Sequence, residues 1–413
     1  MSAPKHSAKL PPLDLSKWRK VPAMLMVVGG LIAVIGLGVS FGVKHDGGTQ
    51  FAFSWLLAFM FCLSICLGAL FLVLAHHLFD AGWSVPIRRF CEHIASLLFP
   101  WMFFLWIPVG LFRKHIYSWI NHLKAPDEAL HAKFPLFTDI GFWVISLSLF
   151  LVWWLLTNRL RHWSIKQDTT GGSLPTHKMR SYSYWGIFAF AITLTLACFM
   201  WMKALQYHWF STMYGVYYFA GSVWMTLGLA YVITMILDRQ TILTDVLHEH
   251  QYYFIGSLMF AFTVFYAYIH FAQYFIIWNG NLPETASYFA RRGRLGWNAI
   301  GMSMILGVWL IPWMTLLSPR IKRYPHLLRG IAGWIFVTHV LDVYYTVVPA
   351  LPSGGFEAGH GRNALSVNIA YDLVGLAAVG GIWFYLFATG VKSTKNLLPT
   401  YDNRLQEALQ HAH

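Results

Sequence analysis

Long apolar runs separated by short polar breaks dominate the chain, and about 20 apolar residues suffice for a helix to cross a hydrocarbon core of roughly 30 Å. On that measure ten runs qualify, at about 22–43, 51–75, 90–112, 136–157, 184–204, 213–237, 251–277, 296–317, 329–349 and 366–390. Each run is continuous rather than alternating with period two, which predicts helices and not a barrel. The expected architecture is an all-α integral membrane protein of about ten transmembrane helices. A segment 1–21 precedes the polytopic domain 22–390, and a tail 391–413 follows it. Pro100, Pro108 and Pro135 interrupt the third and fourth runs and blur their limits.

Composition agrees. The chain is 57% hydrophobic and 17% aromatic with 11% charged residues, which excludes the soluble globular classes. Met1 to Lys20 is polar and basic with no cleavable apolar core, so the first span itself is expected to direct insertion. Twenty Lys and Arg fall on the side of the N-terminus and ten on the opposite side. That asymmetry predicts both termini in the cytoplasm. The formal net charge of +13 then reflects orientation and anionic lipid rather than nucleic-acid binding.

Four cysteines lie in or at the ends of spans, without the spacing of an iron–sulfur or covalent haem site, and read as packing residues. Bis-histidine haem needs facing pairs at matched depth; spans seven and nine carry one buried His each, so no haem or metal ligation is expected. The longer connections are 113–135 and 278–296 on one side, and a polar stretch at 158–182 containing "TTGGSLPT" on the other.

A short internal echo links "CEHIASLLF" (91–99) to "HEHQYYFIGSLMF" (248–260), each opening a span with Glu-His. It predicts two four-helix bundles, spans 2–5 (about 51–204) and 6–9 (about 213–349), with one flanking helix at each end.

The candidate chemistry lies in "VTHVLDVYYTVVP" (337–349), where His339 and Asp342 stand three positions apart on one helical face. A buried ionisable group costs about 2.5–3.5 kcal/mol on insertion scales and so faces a partner. Other titratable residues form a row by depth. Glu92, His93, Glu249 and His250 stand at the inner end, His339 and Asp342 at the centre, and His270, Asp139 and Asp372 in the outer third. Such a row suits a proton relay. The bland alternatives are a structural polar pair at 339/342 and solvated boundary residues at the helix ends. Lys203 is expected to reach outward, and His76 and His77 to sit among headgroups. A secondary transporter competes as a class, with Pro312 as the clearest interior helix break.

Two strings, "HWFSTMYGVYYFAGS" (208–222) and "FAFTVFYAYIHFAQYFIIWNGNLPET" (260–285), resemble the second NrfD-type, polysulfide-reductase-like integral membrane subunit of bacterial alternative complex III, a quinol:electron-acceptor oxidoreductase. The resemblance extends over nearly all ten spans. It implies a multi-pass subunit of the bacterial cytoplasmic membrane whose partners are a paralogous quinol-binding membrane subunit, an iron–sulfur protein and haem c subunits. Those partners would hold the iron–sulfur clusters, haem c and quinol, while this chain binds no cofactor and conducts or couples protons.

Arg89 and Glu92 reproduce an Arg-x-x-Glu of the family, and Asp139 matches an acid at the outer end of the fourth span. In the quinol-binding paralogue a His follows the Phe-Pro of the third span; here Phe99-Pro100 is followed by Trp101, Met102, Phe103 and Phe104. Quinol oxidation requires an acceptor for the leaving proton, and this stretch supplies none. The alternatives that stay open are a purely architectural paralogue and an independent secondary transporter.

Overall fold

The computed structural model describes residues 16–42, 48–123, 127–239, 249–294, 296–351, 369–392, 399, 401, 402 and 404. The N-terminal segment to residue 15, most of the C-terminal tail, His248 of the internal echo, and the basic residues Lys5, Lys9, Lys44, Lys124, Arg362 and Lys395 lie outside the described residues. Among those described there is no strand. The helices are α1 (Ser16–Gly42), α2 (Thr49–Phe79), α3 (Val85–Ser96), α4 (Phe103–Leu111), the short α5 (Arg113–Ile116), α6 (Ser118–Asn121) and α7 (Glu128–His131), and α8 (Asp139–Thr170). They continue with α9 (Leu174–Trp201), α10 (Tyr214–Arg239), α11 (Glu249–Gly280), α12 (Pro283–Arg292), α13 (Trp297–Met304), α14 (Ile311–Leu316), α15 (Pro319–Arg323), α16 (Pro325–Val347) and α17 (Ile369–Lys392).

Nine stretches among the described residues are long and apolar enough to cross a membrane; in α1 the apolar stretch Lys20–Gly36 falls short of that length. The chain is an all-α multi-pass membrane protein. Exposed Ile140, Val144, Leu147, Leu151 and Trp154 recur at helical spacing along α8. In water such a stripe would be a liability; against acyl chains it is the low-energy surface.

The third span is continuous with an earlier helix start than its hydropathy suggests, running from Gly82 to Leu111. Pro100 divides it. Proline supplies no N–H and disfavours helical geometry in the residue before it, and Phe99 accordingly adopts φ −144°, ψ 133°. The chain recovers through a wide turn in which Met102 N–H donates to Leu97 O at 2.9 Å. A second wide turn, Ile305–Leu310, precedes Pro312 and joins α13 to α14.

The polar stretch 158–182, expected as a loop, is mostly helix: α8 runs on to Thr170 and α9 begins at Leu174. Only the glycines break it, with Gly171 at φ 61° and Gly172 at φ 76°. Ser164, Gln167 and Asp168 there face a buried ionic cluster, so tertiary partners rather than water satisfy them. Likewise 278–296 contains α12.

α2 and α10 form the centre. α2 is apolar all round and almost wholly enclosed, as a helix without a solvent or lipid face must be. It packs on α3, α9, α10, α16 and α17. Gly68 permits the closest approach, since a Cβ there would collide with Ser222 O and Thr226 Oγ1. Thr226 Oγ1 donates to Ile65 O at 3.0 Å and Tyr218 OH to Met60 O at 2.6 Å, tying the two helices further. α1 and α17, from opposite ends of the chain, pack on each other; Tyr371 OH donates to Ala33 O at 3.0 Å.

Candidate functional site

α16 carries His339 and Asp342 into the interior, and α2, α10 and α11 each send a polar side chain to meet them. His339 is 1% exposed and Asp342 4%. Gly221 of α10 makes room: a Cβ there would stand 3.1 Å from His339 Cε1 and 3.5 Å from Asp342 Oδ2.

Hydrogen bonds from three other helices fix both side chains. Ser64 Oγ lies 2.7 Å from Phe61 O and 2.9 Å from His339 Nε2, within hydrogen-bond distance of both. On the carboxylate, Oδ1 accepts from Tyr266 OH at 2.7 Å and from Tyr217 OH, and the two phenol oxygens lie 2.9 Å apart. What remains is His339 Nδ1, which has no hydrogen bond, facing Asp342 Oδ2 at 3.6 Å. The two titratable side chains thus meet in the interior, held from both sides by Ser64 and the two tyrosines.

His270 completes this group through ring contacts, stacked on Tyr266 with centroids 6.0 Å apart and tilted on Tyr217 at 5.3 Å. Near the C-terminal end of α16, buried Arg292 donates to Tyr345 O at 3.1 Å and Thr346 O at 3.0 Å. Its guanidinium lies 3.6 Å from the Tyr288 ring centroid. It caps carbonyls at the negative end of the helix.

Glu92 belongs to a separate buried network. It accepts from Arg88 Nε at 2.8 Å and lies 2.7 Å from Ser164 Oγ through each oxygen, with Arg89 at 3.8 Å. Arg88 also donates to Gln167 Oε1 at 3.1 Å and to Asp402 Oδ2 at 2.5 Å; Arg89 pairs with Asp168 at 2.6 Å. His93 sets Nδ1 against Arg161 Nη1 at 3.0 Å, where the ring accepts. Every acceptor of Glu92 is thus engaged by a fixed cation or hydroxyl, the geometry of a structural ion-pair network.

The tail contributes Asp402 and Arg404 to the same end. Arg404 Nη1 donates to His76 O at 3.2 Å and Nε to Asp402 Oδ1 at 2.9 Å. Burial would raise the Asp402 carboxyl, but the His76 ring 3.8 Å away and the charges of Arg88 and Arg404 together hold it well below the usual carboxylate range. His76 and His77, expected among headgroups, are instead 2% and 1% exposed beneath this tail.

The other candidates stand apart. Asp139, at the start of α8, takes both nitrogens of Arg113 at 2.8 and 3.1 Å and is partly exposed. Glu249 and His250 are exposed at the start of α11, unlike the buried Glu92 and His93 they echo. Asp372, 1% exposed, accepts from Ser54 Oγ and, at 3.3 Å, from Gln50 Nε2, while its Oδ2 has no partner. Lys203 does not reach outward: it is 8% exposed and lies over the Phe199 and Phe137 rings at 5.5 and 5.9 Å.

Of the nine titratable residues singled out from sequence, the fold brings together His339, Asp342 and His270 and leaves the others in separate places. Ser64, Tyr217, Tyr266, Arg88 and Asp402 were not singled out. Tyrosine reads as apolar in a hydropathy pattern, and Asp402 lies in the tail, so only their long-range contacts give them away. All four cysteines are free and buried; Trp383 Nε1 donates to Cys66 Sγ at 3.1 Å. No family model matches the chain, and no curated protein matches it.

Proposed function

We propose that this chain is a membrane subunit, without a redox centre of its own, of a quinol-oxidising complex of the alternative complex III type, and that its His339–Asp342 pair moves or couples protons. The carrying observation is the buried approach of His339 Nδ1 to Asp342 Oδ2, 3.6 Å apart and closed off by Ser64, Tyr217 and Tyr266. A group that must gain and lose one proton in hydrocarbon needs a fixed site for each state, and the two tyrosine hydroxyls stabilise the carboxylate when the proton is elsewhere. The partners are a paralogous quinol-binding subunit, an iron–sulfur protein and haem c subunits, in the bacterial cytoplasmic membrane with both termini inside.

Packing supports two four-helix units within this reading. The pairings α2–α3, α2–α9, α3–α8 and α8–α9 recur as α10–α11, α10–α16, α11–α14 and α14–α16. Under that correspondence α2 and α10 are equivalent and meet at the centre, with α1 and α17 as the flanking pair.

The experiment uses the intact complex purified through a tag on this chain and reconstituted in liposomes. Co-purification of haem c and iron–sulfur polypeptides is expected, and Asp342→Asn is expected to lower proton movement per electron while quinol oxidation continues. A chain that purifies alone defeats the assignment to the complex; unchanged proton movement in Asp342→Asn defeats the coupling role. The architectural reading is favoured by one observation, the saturation of Glu92 by Arg88 and Ser164, and it predicts the second outcome.

A further inference from the structure

Arg88, Arg89, Arg180 and Arg404 meet carboxylates, whereas the exposed Arg159 and Lys178 have none within ion-pair distance among the described residues. The link between α14 and α16 concentrates such unpaired cations. In the five residues of α15 stand Arg320, Lys322 and Arg323, with Arg329 one turn into α16, and none of the four has a carboxylate within ion-pair distance among the described residues. Lys322 is 8% exposed, its stem packed on α11 and its ammonium 5.0 Å from the Phe260 centroid and 5.5 Å from that of Tyr253. Arg323 lies 5.7 Å from the same Tyr253 ring.

One ring beside two cations compensates them poorly, since a cation–π contact at an exposed site is worth about 0.5–1 kcal/mol. The arrangement calls for an anion. α15 joins the ends of two helices of membrane-crossing length, Trp297–Leu316 and His326–Ala350, which sets it at headgroup level. Beside it Met314, Leu317, Tyr324 and Leu327 are 49–60% exposed.

We propose that α15 and Tyr253 bind the phosphate headgroup of an anionic phospholipid. The cations take the phosphate oxygens, and the apolar residues lie along the acyl chains. A free phosphate ion would satisfy the charges and leave the apolar surface uncovered, so lipid is the occupant the surface fits. The site is independent of the His339–Asp342 pair and does not rest on the assignment to a complex.

The test is lipid retention by the full-length protein, or by the complex it purifies in, measured by native mass spectrometry after exchange into zwitterionic phosphatidylcholine doped with cardiolipin or phosphatidylglycerol. Arg320→Gln with Arg323→Gln removes two of the charges from a solvent-facing helix, and retention of the anionic lipid is expected to weaken by about 30-fold. Arg159→Gln with Lys178→Gln, exposed cations of the first half, is expected to leave retention unchanged. Equal retention in the α15 variant and the parent overturns the proposal, as does an equal loss in the control, which would mean diffuse attraction. Displacement of the lipid by millimolar inorganic phosphate overturns it in favour of a free-anion site. A partner polypeptide cross-linked to α15 with no lipid retained overturns it in favour of a protein interface.

Discussion

Tyr266 donates its hydroxyl hydrogen to Asp342 Oδ1 across 2.7 Å, joining α11 to α16 where both residues are at most 4% exposed. Tyr217 does the same from α10. Removing either donor leaves a buried carboxylate short of a hydrogen bond, a loss of about 1.5–3 kcal/mol for a bond to a charged group. Tyr266→Phe and Tyr217→Phe should each lower thermal stability by an amount in that range. The double variant should fall short of the sum or exceed it, because the two share one oxygen. Thermal unfolding of the four proteins in one detergent checks this; strict additivity would mean the hydroxyls act independently.

Substitution of glycine separates close helix approach from open surface. Gly68→Ala inserts a methyl where Ser222 O and Thr226 Oγ1 already stand, so α2 and α10 must part. A loss of at least 2 kcal/mol is expected, in the range of overpacked cores, which cost about 1–3 kcal/mol or more. At Gly380 in α17 no atom lies within 4 Å of a built Cβ. Gly380→Ala should therefore stabilise slightly, by about 0.5 kcal/mol, through helix propensity. If both lower the melting temperature alike, the close approach at Gly68 is not what limits stability.

The Arg88–Asp402 pair ties the tail to the helical domain. Breaking one side of a buried pair costs about 3–5 kcal/mol, whereas replacing both by apolar residues is often near neutral. Arg88→Met should be markedly destabilising, and adding Asp402→Leu should recover part of the loss even though Glu92 remains. A double-mutant cycle on thermal stability measures the recovery; none at all would argue that Asp402 contributes little to holding Arg88.

Asp402 also sets an acid limit. Its folded-state carboxyl is held well below the usual range by His76, Arg88 and Arg404 against the opposing effect of burial. A depressed carboxylate contributes stability that is complete above its unfolded value of about 3.9 and disappears as pH falls toward the folded value. The stability difference between the parent and Asp402→Asn should stay constant from pH 7 to about 5 and shrink below about 4. A difference independent of pH down to 3 would exclude ionised Asp402 as its source.

Lys203 has the opposite sign. Burial, and then the neighbouring Lys133 charge, lower its amine to about 8. Below that pH the fold bears a buried ammonium; as pH rises from there toward the unfolded value of about 10.4, the folded state releases the proton first and gains stability. Lys203→Met should be more stable than the parent at pH 7, with the gap closing by about pH 10. A gap that widens with pH would show the ammonium to be stabilising.

Hydropathy alone located every membrane-length helix the structure describes, because the bilayer imposes a length on apolar runs that no packing detail overrides. It misplaced their ends. Ser164, Gln167 and Asp168 read as loop residues, yet they are helical because buried Arg88 and Arg89 take the place of water as their partners. The sequence also singled out His339 and Asp342, since two ionisable groups on one face of an apolar helix demand a partner.

The partner's identity came only from tertiary structure. Ser64, Tyr217 and Tyr266 stand 275, 125 and 76 residues from the group they meet, and nothing local marks them. The same holds for the inequality of the echoed pairs: Glu92-His93 is buried and Glu249-His250 exposed although both open a span with the same two residues. Local sequence fixes which side chains can ionise and which segments enter lipid. Whether a given charge is locked in an ion pair or meets hydroxyls and a second titratable group depends on what distant helices bring to within about 3 Å of it, because hydrogen bonding falls off steeply beyond that distance.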